Sequence, residues 1–425
     1  MTTYKRIQAN LVKPVVSEMW NEFQNGPIDE SRNDSELSVA ADAQYDSPGF
    51  SASFCTEVIV DCKTKKVLHT EIAEVGKDAT YSQGLEKEAL DNSLQTLLHA
   101  HNLSIRNLVT DKHSAVLKLV KNKYKDIHHE LDYWHIRKGN LGNPLRDLCK
   151  RKGSEKIQAW KQSIMNHLDY SVSSCRGDVQ KLLLTWNSLQ EHIIDKHENC
   201  QHGALAADRP KAWFQATSAE YKRLLKVLTN PVLLQNLQYC SKFLRTAVVE
   251  NFNSLHICYC PKRLYFQRDS MELRAQLAAI DHNSSVGRCV ATTREGAVVL
   301  KASYSKATAS QKIVPVRERK EYEWRHAIVA NCGRMAATLA HSGGIACPPD
   351  DVTGDKPTSS SADFGASTTK ASQARQLYAK RLLSPQSHME ATGQAASGAV
   401  RKAVESARYV VFGSPSPRKH KKPKT

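Results

Sequence analysis

Three acids are placed where a phosphoryl-transfer centre would need them. Asp42 follows the apolar run Leu37-Ser-Val-Ala-Ala41, Asp111 follows Ile105-Arg-Asn-Leu-Val-Thr110, and Glu250 lies within the helical stretch Ala247 to Ile257. Carboxylates brought together in a poorly solvated cleft repel one another, and a divalent cation bound through hard oxygen ligands relieves the repulsion. Mg²⁺ or Mn²⁺ suits such a site. With two ions about 4 Å apart, one activates the attacking water or 3′-hydroxyl and the other stabilises the leaving oxygen of an in-line displacement. A single Asp at a strand end is more often a turn or cap residue. Asp46, ahead of Ser-Pro-Gly, and Asp61, opening the polar loop Asp61 to Lys66, are read that way, whereas Asp42, Asp111 and Glu250 are weighed as a set.

The elements that must position these acids follow from the hydrophobic pattern. Residues 37–41, 54–60 and 67–72 form apolar strand-like runs separated by turn chemistry, and Leu85, Ala89, Leu90, Leu94, Leu97 and Leu98 fall on one face of a helix. A fourth strand over 105–110, a helix carrying Val116, Leu119 and Val120, and a fifth strand over 127–131 complete a βββαβαβ order. From 136 to 248 there are helical stripes without a clear strand, such as Ile157, Trp160, Ile164 and Leu168, and then a helix returns at 247–257. This order is that of an α/β ribonuclease H-like mixed sheet interrupted by a large all-helical insertion. The expected divisions are a helical lead-in over 1–36, the first part of the core over 37–135, the insertion over 136–248, the last core helix and following segment over 249–290, an unassigned stretch over 291–340, and a disordered basic tail over 341–425. Gly, Ser, Ala and Pro dominate that tail, which cannot bury enough apolar surface to offset its ordering entropy.

Several blocks resemble the signatures of Kolobok-type cut-and-paste DNA transposases of the DDE group. They are Asp42-Ala-Gln-Tyr-Asp-Ser-Pro-Gly-Phe-Ser-Ala52, Val109-Thr-Asp-Lys-His113, Leu131-Asp-Tyr-Trp-His135, Val249-Glu-Asn-Phe-Asn253 and Cys260-Pro-Lys-Arg263. The resemblance runs from about residue 10 to 290. It implies that Asp42, Asp111 and Glu250 bind the catalytic metal, that Asp132 and His135 form the pair following the second acid, and that the reaction is Mg²⁺-dependent cleavage and strand transfer of double-stranded DNA. A homo-oligomer assembled on DNA would carry it out. The chain departs from the pattern at Ala41-Asp42-Ala43-Gln44, where the family has Gly-Asp-Gly-Arg, and at Asn253, where it has His. Asn253, three residues after Glu250 and on the same helical face, can form hydrogen bonds but cannot accept a proton as imidazole does. About 36 residues without a cysteine precede the first strand, so a zinc-finger DNA reader is not expected.

Composition narrows the remaining choices. Sixty Lys and Arg against 43 Asp and Glu give a net charge of +17, which favours an acidic partner such as nucleic acid over a small-molecule substrate. The 11 cysteines are scattered, no secretory signal opens the chain and no apolar run approaches the length of a membrane span, so a nuclear protein with reduced thiols is expected. The basic end Arg418-Lys-His-Lys-Lys-Pro-Lys424 suits nuclear import or phosphate contact. Cys200-x-His202, Cys258-x-Cys260 and His128-His129 have poor spacing for structural zinc, so zinc is not expected in the insertion, with a Cys/His site joining Cys175 or His197 as the minor alternative. Trp134, Trp160, Trp186 and Trp213 are expected in the core. Two readings stand: a transposase-like polynucleotidyl transferase, or a non-catalytic DNA-associated protein derived from one.

Overall fold

The computed structural model describes residues 6–47, 51–201, 203, 212–262, 264–305 and 310–341. Its centre is a five-stranded mixed sheet with strands β1 (Ser38–Tyr45), β2 (Phe54–Asp61), β3 (Val67–Glu74), β4 (Asn107–Thr110) and β5 (His128–Leu131) in the order β3-β2-β1-β4-β5. The first three strands are antiparallel neighbours, while β1–β4 and β4–β5 are parallel. The parallel pairs require crossovers. These are supplied by helix α2 (Ser82–Gln95), which precedes β4, and α3 (Ser114–Lys123), which joins β4 to β5.

Helices cover both faces of the sheet. Val39, Ala41, Ile59 and Leu108 pack with Leu90 and Leu94 of α2 and with the apolar side of α3. Ala40, Val58, Val60 and Val109 point the other way, against α1 (Lys13–Arg32), α10 (Ala247–Tyr259) and α11 (Arg268–Ser285). Burial on both faces explains why every residue of β2 is buried and why its sequence lacks polar alternation. The first strand is longer than its apolar run. Antiparallel pairing with β2 continues from Val39 opposite Asp61 to Tyr45 opposite Cys55, so Asp42 lies inside β1 and not at its end. Polar residues extend a strand where the partner strand supplies the ladder and their side chains reach a cleft. Pro48, Gly49 and Phe50 of the Asp-Ser-Pro-Gly block lie outside the described residues, as does the basic tail.

Between β5 and α10 the regular elements among the described residues are helices. They include α4 (Tyr133–Ile136), α5 (Asn143–Cys149), α6 (Glu155–Ser174), α7 (Val179–His192), α8 (Ala219–Leu228) and α9 (Pro231–Leu237), built around one apolar core containing Ile157, Trp160, Ile164, Leu168, Leu182, Trp186 and Leu189. Trp186 is fully buried, and its indole N–H donates to the carbonyl of Leu228 at 3.1 Å. Trp186→Ala should therefore destabilise the protein by about 3–5 kcal/mol, measured by urea unfolding followed by circular dichroism, and should strand that carbonyl.

The stretch 288–320 forms a separate small unit in which β6 (Leu300–Ser305) and β7 (Ser310–Pro315) pair as an antiparallel hairpin. Helix α12 (Glu323–His341) follows in sequence, and its Trp324 and Ile328 join the core beside α1.

Candidate active site

Register brings the first two acids together. Ala40 of β1 pairs with Val109 of β4 in parallel, so Asp42, still within β1, and Asp111, just past the end of β4, each lie two residues beyond that pair. Side chains at i and i+2 share a face, which turns both acids toward the α10 side, where Ala40 and Val109 are packed. The electrostatics agree. The Asp42 carboxyl is pushed up to about 7, first by desolvation and then by the charges of Asp111 and Glu86. Asp111 is also held above the ordinary carboxylate range, chiefly by burial, with Asp132 adding to the rise and His135 opposing it.

Asp132 anchors the neighbouring corner. It caps α4, accepting the Trp134 amide at 2.9 Å through Oδ1, while Oδ2 accepts the Thr246 hydroxyl at 2.9 Å and lies 2.8 Å from His135 Nδ1. His135 Nδ1 is also 3.2 Å from Asp111 Oδ1, so one imidazole bridges the two acids. One ligand atom from each of Asp111, Asp132 and His135 lies within 4.8 Å of the others.

The third acid arrives on α10, whose start is fixed by β5. Buried Glu130 accepts the Ser241 hydroxyl at 2.9 Å and the Lys242 amide at 3.0 Å, and the Leu131 amide donates to Tyr239 O at 2.7 Å. Five residues later Thr246 touches both Asp132 and, at 3.4 Å, Asp111. Thr246, Glu250 and Asn253 fall at steps of four and three, along one side of the helix. The outer two reach the first two acids: Thr246 touches Asp111, and Asn253 donates its amide to Asp42 Oδ2 at 2.8 Å. Glu250 stands between them, exposed, and among the described residues no hydrogen bond or ion pair joins it to Asp42 or Asp111. Gln44, where the resemblance has Arg, ties β1 to α10 by accepting from His256 Nδ1 through Oε1 at 2.7 Å and by donating its amide N–H to Asn253 O at 3.3 Å.

Two further acids were not evident from the sequence. Glu86, in the first turns of α2, acts on Asp42, lies 3.6 Å from His113 and accepts from Tyr45 Oη at 3.5 Å. Glu57 in β2 is fully buried, pairs opposite Ala43 and is pushed well above the usual range by burial and by Glu86. In sequence, Glu86 sits in Glu86-Lys-Glu, which reads as a solvated helix face, and Glu57 sits inside an apolar run. Only Asp42 being on the neighbouring strand marks either one.

The expectation for Trp134 is corrected, and the other singled-out residues are placed as follows. Trp134 is exposed because Tyr133 and Ile136 take the buried side of the short α4, and Lys138 Nζ stands 4.4 Å from its ring centroid. Cys258 and Cys260 diverge, the first donating to Ser254 O and the second lying against Met271 Sδ. His128 pairs with Glu130 and His129 with Thr110. Cys175 is buried with its thiol directed at Val172 O and Ser241 O, and His202 lies outside the described residues. Asp46 and Asp61 make local turn contacts, to the Ser53 amide and to Lys63 and Thr64 respectively.

Against known proteins, residues 78–205 match the model of the Mutator-like transposase family. No curated protein matches the chain. The matched span contains Glu86, Asp111, Asp132, His135 and helices α2 to α7. It supports a transposase family for this chain.

Proposed function

We propose that this chain is a transposase-type polynucleotidyl transferase acting on double-stranded DNA, with Asp42, Asp111 and Glu250 as its metal-binding acids. The observation that carries this reading is the parallel β1–β4 register, which sets Asp42 beside Asp111 under the helix bearing Glu250. A strand order β3-β2-β1-β4-β5, with three antiparallel strands followed by two parallel ones, supports a ribonuclease H-like core with 136–248 as its helical insertion. The family match supports the transposase class, and the Asp-Ser-Pro-Gly and Asp-x-x-His blocks favour the Kolobok type within it.

Mg²⁺ or Mn²⁺ fits the residues present. Crowded carboxylates in a half-buried cleft, one of them pushed up to about 7 by burial and then by its neighbours' charges, form a hard-oxygen donor set that a divalent cation would relieve. When bound, such a cation supplies charge stabilisation to the displaced and attacking oxygens of a phosphodiester. The protein's own groups do the rest. Thr246 links Asp111 to Asp132, His135 Nδ1 lies within reach of both carboxylates, and Asn253 donates to one oxygen of Asp42. Beside this corner lies an open groove of about 560 Å³ with Trp134 on its wall, where Arg137 is paired with Asp169, while Arg245 and the flanking Lys138 offer charge to a phosphate backbone passing the acids.

Binding should be chiefly electrostatic and nuclear retention should depend on residues 401–425. In filter binding or fluorescence anisotropy, log K should fall linearly with log salt, with a slope of about 0.9 for each phosphate neutralised, and with little sequence preference. A salt-resistant footprint on one short sequence would overturn this part of the reading. The proposed activity is tested by Mn²⁺-dependent nicking of supercoiled plasmid. A second reading, a non-catalytic DNA-associated protein, is favoured by one contact: the Asn253 amide on Asp42 stands where the resemblance places an imidazole.

A further inference from the structure

Outside the acidic cleft, a second group of metal-ligating atoms lies at the end of α7. His192 Nδ1 is 3.4 Å and His197 Nδ1 is 3.7 Å from Cys200 Sγ, and one ligand atom from each residue lies within 4.8 Å of the others. We propose that His192, His197 and Cys200 bind a zinc ion that clips the turn after α7 to the helical core. With Zn–S of about 2.3 Å and Zn–N of about 2.0–2.1 Å, a tetrahedral centre sets sulfur and nitrogen ligands ~3.6 Å apart. The two observed S···N separations bracket that value. A thiol can donate to one nitrogen and accept weakly from the other, and a shared cation brings both nitrogens to the same sulfur through their lone pairs.

Two features outside the ligand trio point the same way. His197 Nε2 lies 3.0 Å from Asp195 Oδ1. A carboxylate on the far nitrogen fixes the tautomer with N–H toward the acid and the lone pair of Nδ1 toward the ligand, as it does for metal-bound histidines. Asp195 itself takes a left-handed backbone, φ 65°, a conformation that costs energy in a residue other than glycine. That reversal folds His197 and Cys200 back over His192, which closes α7. Thiolate and imidazole ligands select zinc over Mg²⁺ or Mn²⁺. His192 and Cys200 also line an open cleft of about 470 Å³, from which solvent can complete the fourth position.

The pattern is His-x₄-His-x₂-Cys, in which the sequence reading, where zinc is not expected, joins His197 to Cys200 only as a minor alternative and passes over His192. It is separate from the acidic cleft.

The test uses the full chain, stripped with chelator and titrated with Zn²⁺, or with Co²⁺ as a spectroscopic probe. Expected are one equivalent of zinc, a thiolate-to-cobalt charge-transfer band, and zinc protection of Cys200 from alkylation read by peptide mass spectrometry. Cys200→Ser should lose the band, Asp195→Asn should weaken affinity by about tenfold or more, and Asp111→Asn should keep both. Protection is read on the unaltered chain, so the test survives if Cys200→Ser fails to fold. Equal alkylation of Cys200 with and without zinc, or an unchanged charge-transfer band in a folded Cys200→Ser, would overturn the proposal. Failure of this site with nicking intact, or the reverse, separates it from the proposed activity.

Discussion

Asp111→Asn is expected to lower Mn²⁺-dependent plasmid nicking by about two to three orders of magnitude, because a metal ligand contributes several kcal/mol of charge stabilisation and each ~1.4 kcal/mol is a factor of ten. The change is nearly isosteric. The amide can still accept from Thr246, so the corner built by Asp132, Thr246 and His135 should survive and the loss should be one of activity, with thermal stability kept. Asp42→Asn and Glu250→Gln should each reach a similar floor, and pairs of these changes should cost no more than one alone, since three ligands of one centre act as a unit. Full activity in Glu250→Gln with loss in Glu86→Gln would move the third ligand to α2. Nicking that is insensitive to all four changes would rule out the acidic cleft as the centre.

Asn253→His offers the complementary gain. The side chain at 253 is nearly buried and lies on Asp42, so an imidazole there would replace an amide donor with a group that titrates near neutral pH. An increase in nicking is expected if the amide is what limits the native chain. Restoring glycine at 43 is a poorer route. Ala43 packs against the small cluster of Cys55, Leu85 and Ala89, so Ala43→Gly removes contact as well as adding backbone freedom.

How much of this was legible beforehand depends on which interaction each residue makes. Asp42 and Asp111 could be paired from sequence because two apolar runs ending in Asp, with the right elements between them, leave few ways to place both acids except on neighbouring strands. Where β1 ends could not be read, because the polar stretch Asp42 to Tyr45 is held by β2 rather than by its own pattern. Glu250 could be placed on a helix from spacing, but the side of the helix it shares with Thr246 and Asn253 becomes meaningful only once those two are seen to touch Asp111 and Asp42. Glu130 looked like an ordinary polar residue in a short strand, yet it is fully buried and ties the returning chain to β5, which is what sets Thr246 at the cleft. Such long-range polar contacts leave no periodic trace. The same holds for His192 and His197, which belong to a helix end and a turn and meet only because Asp195 reverses the chain.

The pH dependence of stability and metal affinity should both report Asp42. Its carboxyl in the folded protein is pushed up to about 7 from an ordinary 3.8, mainly by burial and then by the neighbouring charges of Asp111 and Glu86. A raised carboxylate means that the folded protein holds a proton that the unfolded chain has already released, so between about pH 4 and pH 7 this group lowers stability as pH rises. Above pH 7 the full penalty is in place, of the order of a few kcal/mol at ~1.4 kcal/mol for each pH unit separating the two states. In the metal-free protein, Asp42→Asn should therefore be stabilising at pH 8 and nearly neutral at pH 4, as measured by urea midpoints across that range. A divalent cation reverses the balance, because it needs the ionised carboxylate and must displace the proton below pH 7. The apparent affinity for Mn²⁺ should fall by about tenfold for each pH unit below 7 if one proton is displaced, and the rise in melting temperature with Mn²⁺ should be larger at pH 8 than at pH 6. Loss of that pH dependence in Asp42→Asn, with the zinc clip at Cys200 unaffected, would assign it to this carboxyl. An Mn²⁺ response that is the same at pH 6 and pH 8 in the unaltered chain would instead remove Asp42 from the metal site.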